Sequence, residues 1–206
     1  MTSVKKNIFK NGIASIFQKG IRVLDQLVLV PFFLAYWGAE FYGEWLTLTV
    51  IPSILAFSDL GFGSAAANSF VLAYVADEKQ NAADINKTGI LMISIAVSMG
   101  IVLSSLLLFA LDSFDLFNKI NVIQRKDAVV SVSILILARL FDFYSQLFQS
   151  YFIAARKAAL GISLSNVKIV LSLIFGILIL ILGYGVIEFA FVQLIVIVLF
   201  LSLIHI

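Results

Sequence analysis

EWLTLTVIPSILAFSDLGFGSAAANSFVLAYVA, residues 44 to 76, is an apolar run broken near its centre by Ser58, Asp59, Gly61 and Gly63. At about 1.5 Å per residue it makes a helix of roughly 45 Å, against a membrane hydrocarbon core of about 30 Å. One straight span cannot use that length. The halves on either side of the Asp-Gly break are each about 13 to 15 residues, too short to cross alone, so the stretch reads as one bent or discontinuous helix. The break then lies inside the membrane, with Pro52, Gly61 and Gly63 as its hinge. Asp59 is expensive there unless it faces protein or a wet cavity, and the glycines free backbone carbonyls that something must satisfy.

The rest of the chain has the composition such a helix needs. Of 206 residues, 62% are hydrophobic and only 13% charged, with mean hydropathy +1.09. Soluble domains hold about 45 to 50% apolar and about 25% charged residues, so this is an integral membrane protein. The net charge of +2 is too small to suggest a nucleic-acid partner. Cysteine is absent, which excludes a disulfide framework, a thiol nucleophile and a thiolate metal site. The N-terminus opens with lysines as a signal peptide does, but Arg22 and Asp25 interrupt any apolar core and no small-residue cleavage pattern follows. It reads as a retained first helix.

Working outward from residues 44–76, the pattern predicts an all-α integral membrane fold of six transmembrane helices, at about 9–37, 44–76, 88–111, 128–155, 160–182 and 186–206. The second is the one bent at Asp59 to Gly63. The predicted connections are a tight turn at 38–43, a polar stretch at 77–87, a mixed-charge loop at 112–127, a turn at 155–158 and Gly183-Tyr184-Gly185. Lys5, Lys6, Lys10, Lys19, Lys79, Lys87, Arg156 and Lys157 fall on one side, and Lys119, Arg125 and Lys126 on the other. The bias predicts a cytoplasmic N-terminus. By one codon choice among many, the last six residues, LSLIHI at 201–206, can be back-translated as CTG TCT CTT ATA CAC ATC, which matches a transposon-end adapter. The expectation is that they are a non-native tail, His205 included, and that the chain is the front part of a longer protein.

Charge inside spans is the functional signal. Arg139, Asp142, Gln146 and Gln149 are spaced three, four and three apart, which puts them on one helical face. Gln18, Arg22, Asp25 and Gln26 form a similar set in the first span, and Ser165, Lys168 and Ser172 another in the fifth. With Asp59 and Asn68 of the second span they supply three cations and three carboxylates, enough to line a hydrated central cavity and mark a substrate or ion path. The plainer reading stands beside it: Arg22 with Asp25, and Arg139 with Asp142, as i, i+3 pairs that neutralise each other while helices pack, and Lys168 snorkelling to the cytoplasmic surface. Ser94, Ser98 and Ser105 read as helix-packing contacts. No P-loop, HExxH or GxSxG motif is present, so no enzyme, cofactor or catalytic metal is implied.

PFFLAYWGAEFYGEWLTLTVIPSILAFSDLGFGSAAANSF resembles the start of the O-antigen and capsular polysaccharide flippases of the multidrug/oligosaccharidyl-lipid/polysaccharide exporter superfamily. There a first helix ends in P-x-x-x-x-x-x-G, an aromatic-Gly step follows (Tyr42-Gly43), and a long second helix carries Asp-Leu-Gly. The resemblance implies one lobe of a two-lobed, twelve-helix transporter in the bacterial cytoplasmic membrane, with the second lobe outside this chain. It implies export of an undecaprenyl-diphosphate-linked oligosaccharide, a repeat unit of O-antigen, capsule or exopolysaccharide, by alternating access among membrane lipids. On that reading Arg22, Arg139, Lys168, Asn68, Gln146 and Gln149 hold the diphosphate and sugar, and Asp25, Asp59 and Asp142 take a coupling H+ or Na+. A cation-coupled multidrug antiporter of the same superfamily remains open, as do a membrane-embedded polysaccharide polymerase and a structural subunit. A polymerase usually needs a sizeable outer loop, and the longest here has about sixteen residues.

Overall fold

The computed structural model describes the backbone of residues 2–56, 61–114, 117 and 120–205, and their side chains except 2–8, 55, 56, 62, 204 and 205. These residues form seven helices: α1 (Thr2–Tyr36), α2 (Gly38–Ala56), α3 (Phe62–Val75), α4 (Lys79–Ser113), α5 (Arg125–Ala154), α6 (Ala158–Ile181) and α7 (Val186–His205). Four of them, α4 to α7, are long and apolar enough to cross a membrane, and the chain is a multi-pass membrane protein. The stretch at 44–76, read from sequence as one bent or discontinuous helix, falls in two helices, the 19-residue α2, which begins earlier at Gly38, and the 14-residue α3. Gly61 immediately precedes α3 in the left-handed region (φ 78°), a conformation open to glycine at little cost. Asp59 itself lies outside the described residues.

Several boundaries differ from the sequence expectation. Residues 38–43 are helical rather than a turn, because Gly38 takes φ 78° and reverses the chain at once after Trp37. Lys79 to Lys87, expected as loop, are the first turns of α4, so the α3–α4 connection shrinks to 76–78. Polar side chains there signal that a helix has left the hydrocarbon, and not that the helix has ended.

Helix α5 is the hub. It packs against α2, α3, α4, α6 and α7, while α1 is held by α6 and α2. Of the four apolar spans it is the least hydrophobic, with mean hydropathy 1.7 against 2.4 to 2.7, and the most buried, at 56% of its apolar window. That order is inverted from a soluble protein. Lipid rewards the most apolar helices with exposure, so Leu, Ile, Met and Phe of α4 face outward, and the helix with serines and charges is enclosed by its neighbours. Small residues let backbones approach. The space beside Gly89 of α4 is filled by Ala66 of α3 and Leu147 of α5, with a Cβ at Gly89 placed only 3.0 Å from that of Ala66. Polar bridges complete the packing: Ser94 Oγ and Tyr144 Oη are 2.7 Å apart, and Tyr151 Oη donates to Asn86 Oδ1 at 2.6 Å.

The end of the bundle formed by the C-terminus of α1 is closed by aromatic rings. Phe33 of α1, Trp37 just beyond its end, Trp45 of α2 and Phe189 of α7 contact one another, and Trp37 Nε1 donates to the Tyr184 carbonyl at 3.0 Å. Nearby, the Glu44 carboxylate accepts the backbone N–H groups of Asn121, Val122 and Ile123 at 2.6 to 3.0 Å, fixing the α4–α5 loop to α2. Replacing Gly89 with Val should push α3 from α4 and lower stability by about 1–3 kcal/mol. Thermal unfolding in detergent should show this loss, whereas Gly20→Ala, where an added Cβ meets no packing neighbour within 4 Å, should leave stability unchanged or raise it.

Candidate functional site

The polar faces of α1, α5 and α6 converge. Gln18, Arg22 and Asp25 on α1 meet Arg139, Asp142, Gln146 and Gln149 on α5 and Ser165, Lys168 and Ser172 on α6 around a cavity of about 540 Å³. Gln193 of α7 completes the wall. A second cavity of about 250 Å³ shares Asp25, Arg139, Asp142, Ser172 and Gln193 and continues towards Trp45, Thr49 and Pro52 of α2. The two form one polar track along the inside of the bundle. The spacing on α5 is what makes this work. Steps of three and four residues keep four long polar side chains on one side, while Leu135, Leu140, Leu147 and Ser150 are buried against its neighbours.

Within the track the charges are unevenly paired. Lys168 Nζ lies 3.0 Å from Asp142 Oδ1, and Ser145 Oγ donates to the same oxygen at 2.6 Å. The Lys168 ammonium also lies 4.7 Å from the centre of the Phe200 ring. Ser172 donates to Gln193 Oε1 at 2.8 Å. Among the described residues, neither Arg22 nor Arg139 has a carboxylate at ion-pair distance, and Asp25 has no cation there. The i, i+3 pairs of the plainer reading are therefore not formed within α1 and α5. Asp142 reaches across to α6 instead, and Lys168 is turned into the bundle rather than towards the membrane surface.

Of the residues marked out by sequence, Arg22, Asp25, Arg139, Asp142, Gln146, Gln149 and Lys168 line the larger cavity, and Pro52 lines the smaller. Asn68 lines neither. It sits on α3, which packs on α4 and α5 and contributes no wall to the track, because the chain restarts its helix after Gly61 instead of carrying one polar face through. Gly63 is buried in the first turn of α3. Gln193 was missed, although an uncharged amide alone in the middle of the strongly apolar VIEFAFVQLIVIVLFLSLIH carries the same cost signal as the charges. Ser145 was missed because a serine on a membrane helix is more often a packing residue.

The chemistry available is binding rather than bond-making. The cavity holds three cations, two carboxylates and several amide and hydroxyl groups, a set that grips an anion and hydrogen-bonds a polar ligand. No protein-family description matches the sequence, and no curated protein matches it. Among solved structures, the chain superposes on an outward-facing multidrug resistance MATE family transporter of the MOP superfamily, with TM-score 0.72 and 18% identity. The match takes in 98% of this chain and 44% of that one, so the chain spans less than half the length of the transporter whose fold it shares. The architecture is that of roughly one half of that transporter's fold.

Because the chain has no cysteine, introduced thiols report directly on water in the track. Gln149→Cys and Gln193→Cys should react with a charged, membrane-impermeant maleimide, since a thiolate forms only where water reaches it. Leu199→Cys, on the outer face of α7, should stay unlabelled, and no labelling at 149 and 193 would mean that the track is dry or closed.

Proposed function

We propose that this chain is one six-span lobe of a lipid-linked oligosaccharide flippase in the bacterial cytoplasmic membrane, its N-terminus in the cytoplasm. On this reading α2 and α3 together make one broken crossing. A second lobe, on the same chain or another, supplies the opposite wall of the cavity. The observation that carries the reading is the pair of arginines, Arg22 and Arg139, facing a cavity inside a membrane bundle without carboxylate partners. A guanidinium there is costly unless something anionic visits it, and its planar fork matches two phosphate oxygens at once. A diphosphate-linked sugar fits both halves of the chemistry: cations for the diphosphate, and Gln146, Gln149 and Gln193 for hydroxyls. Asp25 and Asp142, with Asp59, are the sites for a coupling H+ or Na+. Pro52, Gly61 and Gly63 are the hinge about which α2 and α3 shift during alternating access.

A second reading is favoured by the fold match to a multidrug resistance transporter: a cation-coupled drug antiporter. It asks for acidic groups facing a cationic drug, and the three cations of this cavity repel one. Replacing Arg139 with Gln separates the readings. In cells relying on this protein, export of the lipid-linked repeat unit should fall roughly 10- to 100-fold, the loss of one charge-assisted hydrogen bond, at unchanged protein abundance. Reduced abundance with export falling only in proportion would assign Arg139 to packing. Raised drug sensitivity with normal surface polysaccharide would favour the antiporter.

A further inference from the structure

Lys168 and Asp142 are opposite charges of the cavity that touch, and this sets Lys168 apart from the two arginines. Its ammonium is neutralised from within the protein by an oxygen that also accepts from Ser145, and it rests on the Phe200 ring. Arg22 and Arg139 offer their charge to the same space without such a partner. The Asp142 carboxylate thus occupies, beside Lys168, the place that an oxyanion of a bound ligand would take. The pair is not sealed away: the Lys168 and Asp142 side chains keep 20% and 33% of their exposure.

We infer that Asp142 is an internal substitute for the ligand's phosphate, and that a diphosphate docked on Arg22 and Arg139 takes Lys168 from it. The inference rests on the diphosphate reading above. No covalent bond forms or breaks; one ion pair is exchanged for another. Lysine suits the role because its flexible stem carries three rotatable donors, whereas the arginine fork is rigid. An ion pair that keeps a fifth to a third of its exposure is worth little net, since solvent screens it and desolvation opposes it. A diphosphate carries more charge and more acceptor oxygens than a carboxylate, so it wins the exchange. A ligand with a single carboxylate gains nothing over Asp142 and leaves the pair intact. The exchange thereby makes the site selective for phosphorylated ligands over weaker anions.

A double-mutant cycle on the full chain in nanodiscs of neutral lipid, with inorganic pyrophosphate as the probe and calorimetry as the readout, tests this. Asp142→Asn should tighten pyrophosphate binding about tenfold. Lys168→Gln should weaken binding about threefold in the unchanged background, the surplus of the exchange over the Asp142 pair, and about tenfold more in the Asp142→Asn background, where the lysine is already free. If Lys168→Gln fails to fold, Lys168→Met keeps the stem packed on Phe200 and completes the cycle. Additive effects, or a Lys168→Gln without cost in the unchanged background, would overturn the exchange alone: in the first case Lys168 and Asp142 act independently, and in the second Lys168 stays on Asp142 while the arginines hold the ligand. Absence of pyrophosphate binding in both the unchanged protein and Asp142→Asn would overturn the diphosphate reading and the exchange together.

Discussion

Ionised side chains placed midway along membrane helices govern the architecture. Charge transferred to hydrocarbon is unfavourable by several kcal/mol, so each such residue must turn towards protein or water. Helix α5 carries Arg139 and Asp142 in the middle of its 30 residues, and the enclosure of α5 by α2, α3, α4, α6 and α7 follows from that demand. The helices without central charge, α4 above all, are left to face lipid. The cavity is the other half of the same solution: where neighbouring helices also bring charge, as α1 brings Arg22 and Asp25 and α6 brings Lys168, the polar faces meet around a cavity.

Much of this was legible in the sequence. The 3-4-3 spacing of Arg139, Asp142, Gln146 and Gln149 gave the polar face of α5, and the intramembrane charges of α1 and α6 pointed to its partners. The break in residues 44–76 was readable from length alone. Three things were not. Which carboxylate pairs with which cation depends on distances between helices: the plainer reading offered Arg139, on the same helix, as the partner of Asp142, whereas it pairs with Lys168, 26 positions away. Asn68 was placed on the polar face because α2 and α3 were treated as one surface. Helix ends were misjudged at Gly38 and Lys79, where chain reversal takes one residue and where polar helix extends beyond the apolar window.

The two ends of the track are built differently. Near Trp45 and Pro52 it narrows under packed rings of α1, α2 and α7, a dense apolar plug with few polar groups to reorganise. Near Gln18, Gln149 and Ser165 the walls are amides and hydroxyls. A ligand with a charged group and a sugar-like portion would meet cations in the middle and neutral hydrogen-bonding groups towards the end where α1 begins.

The clasp between Glu44 and the α4–α5 loop divides its sequence requirements unequally. On one side stands a particular side chain, long enough and charged enough to accept three amide hydrogens. On the other stand Asn121, Val122 and Ile123, which contribute main-chain N–H groups that nearly every residue possesses. The loop can therefore drift in composition at 121 and 122 without losing its anchor, proline alone being excluded for want of a donor. The contact is specific in geometry yet almost blind to half of its own sequence.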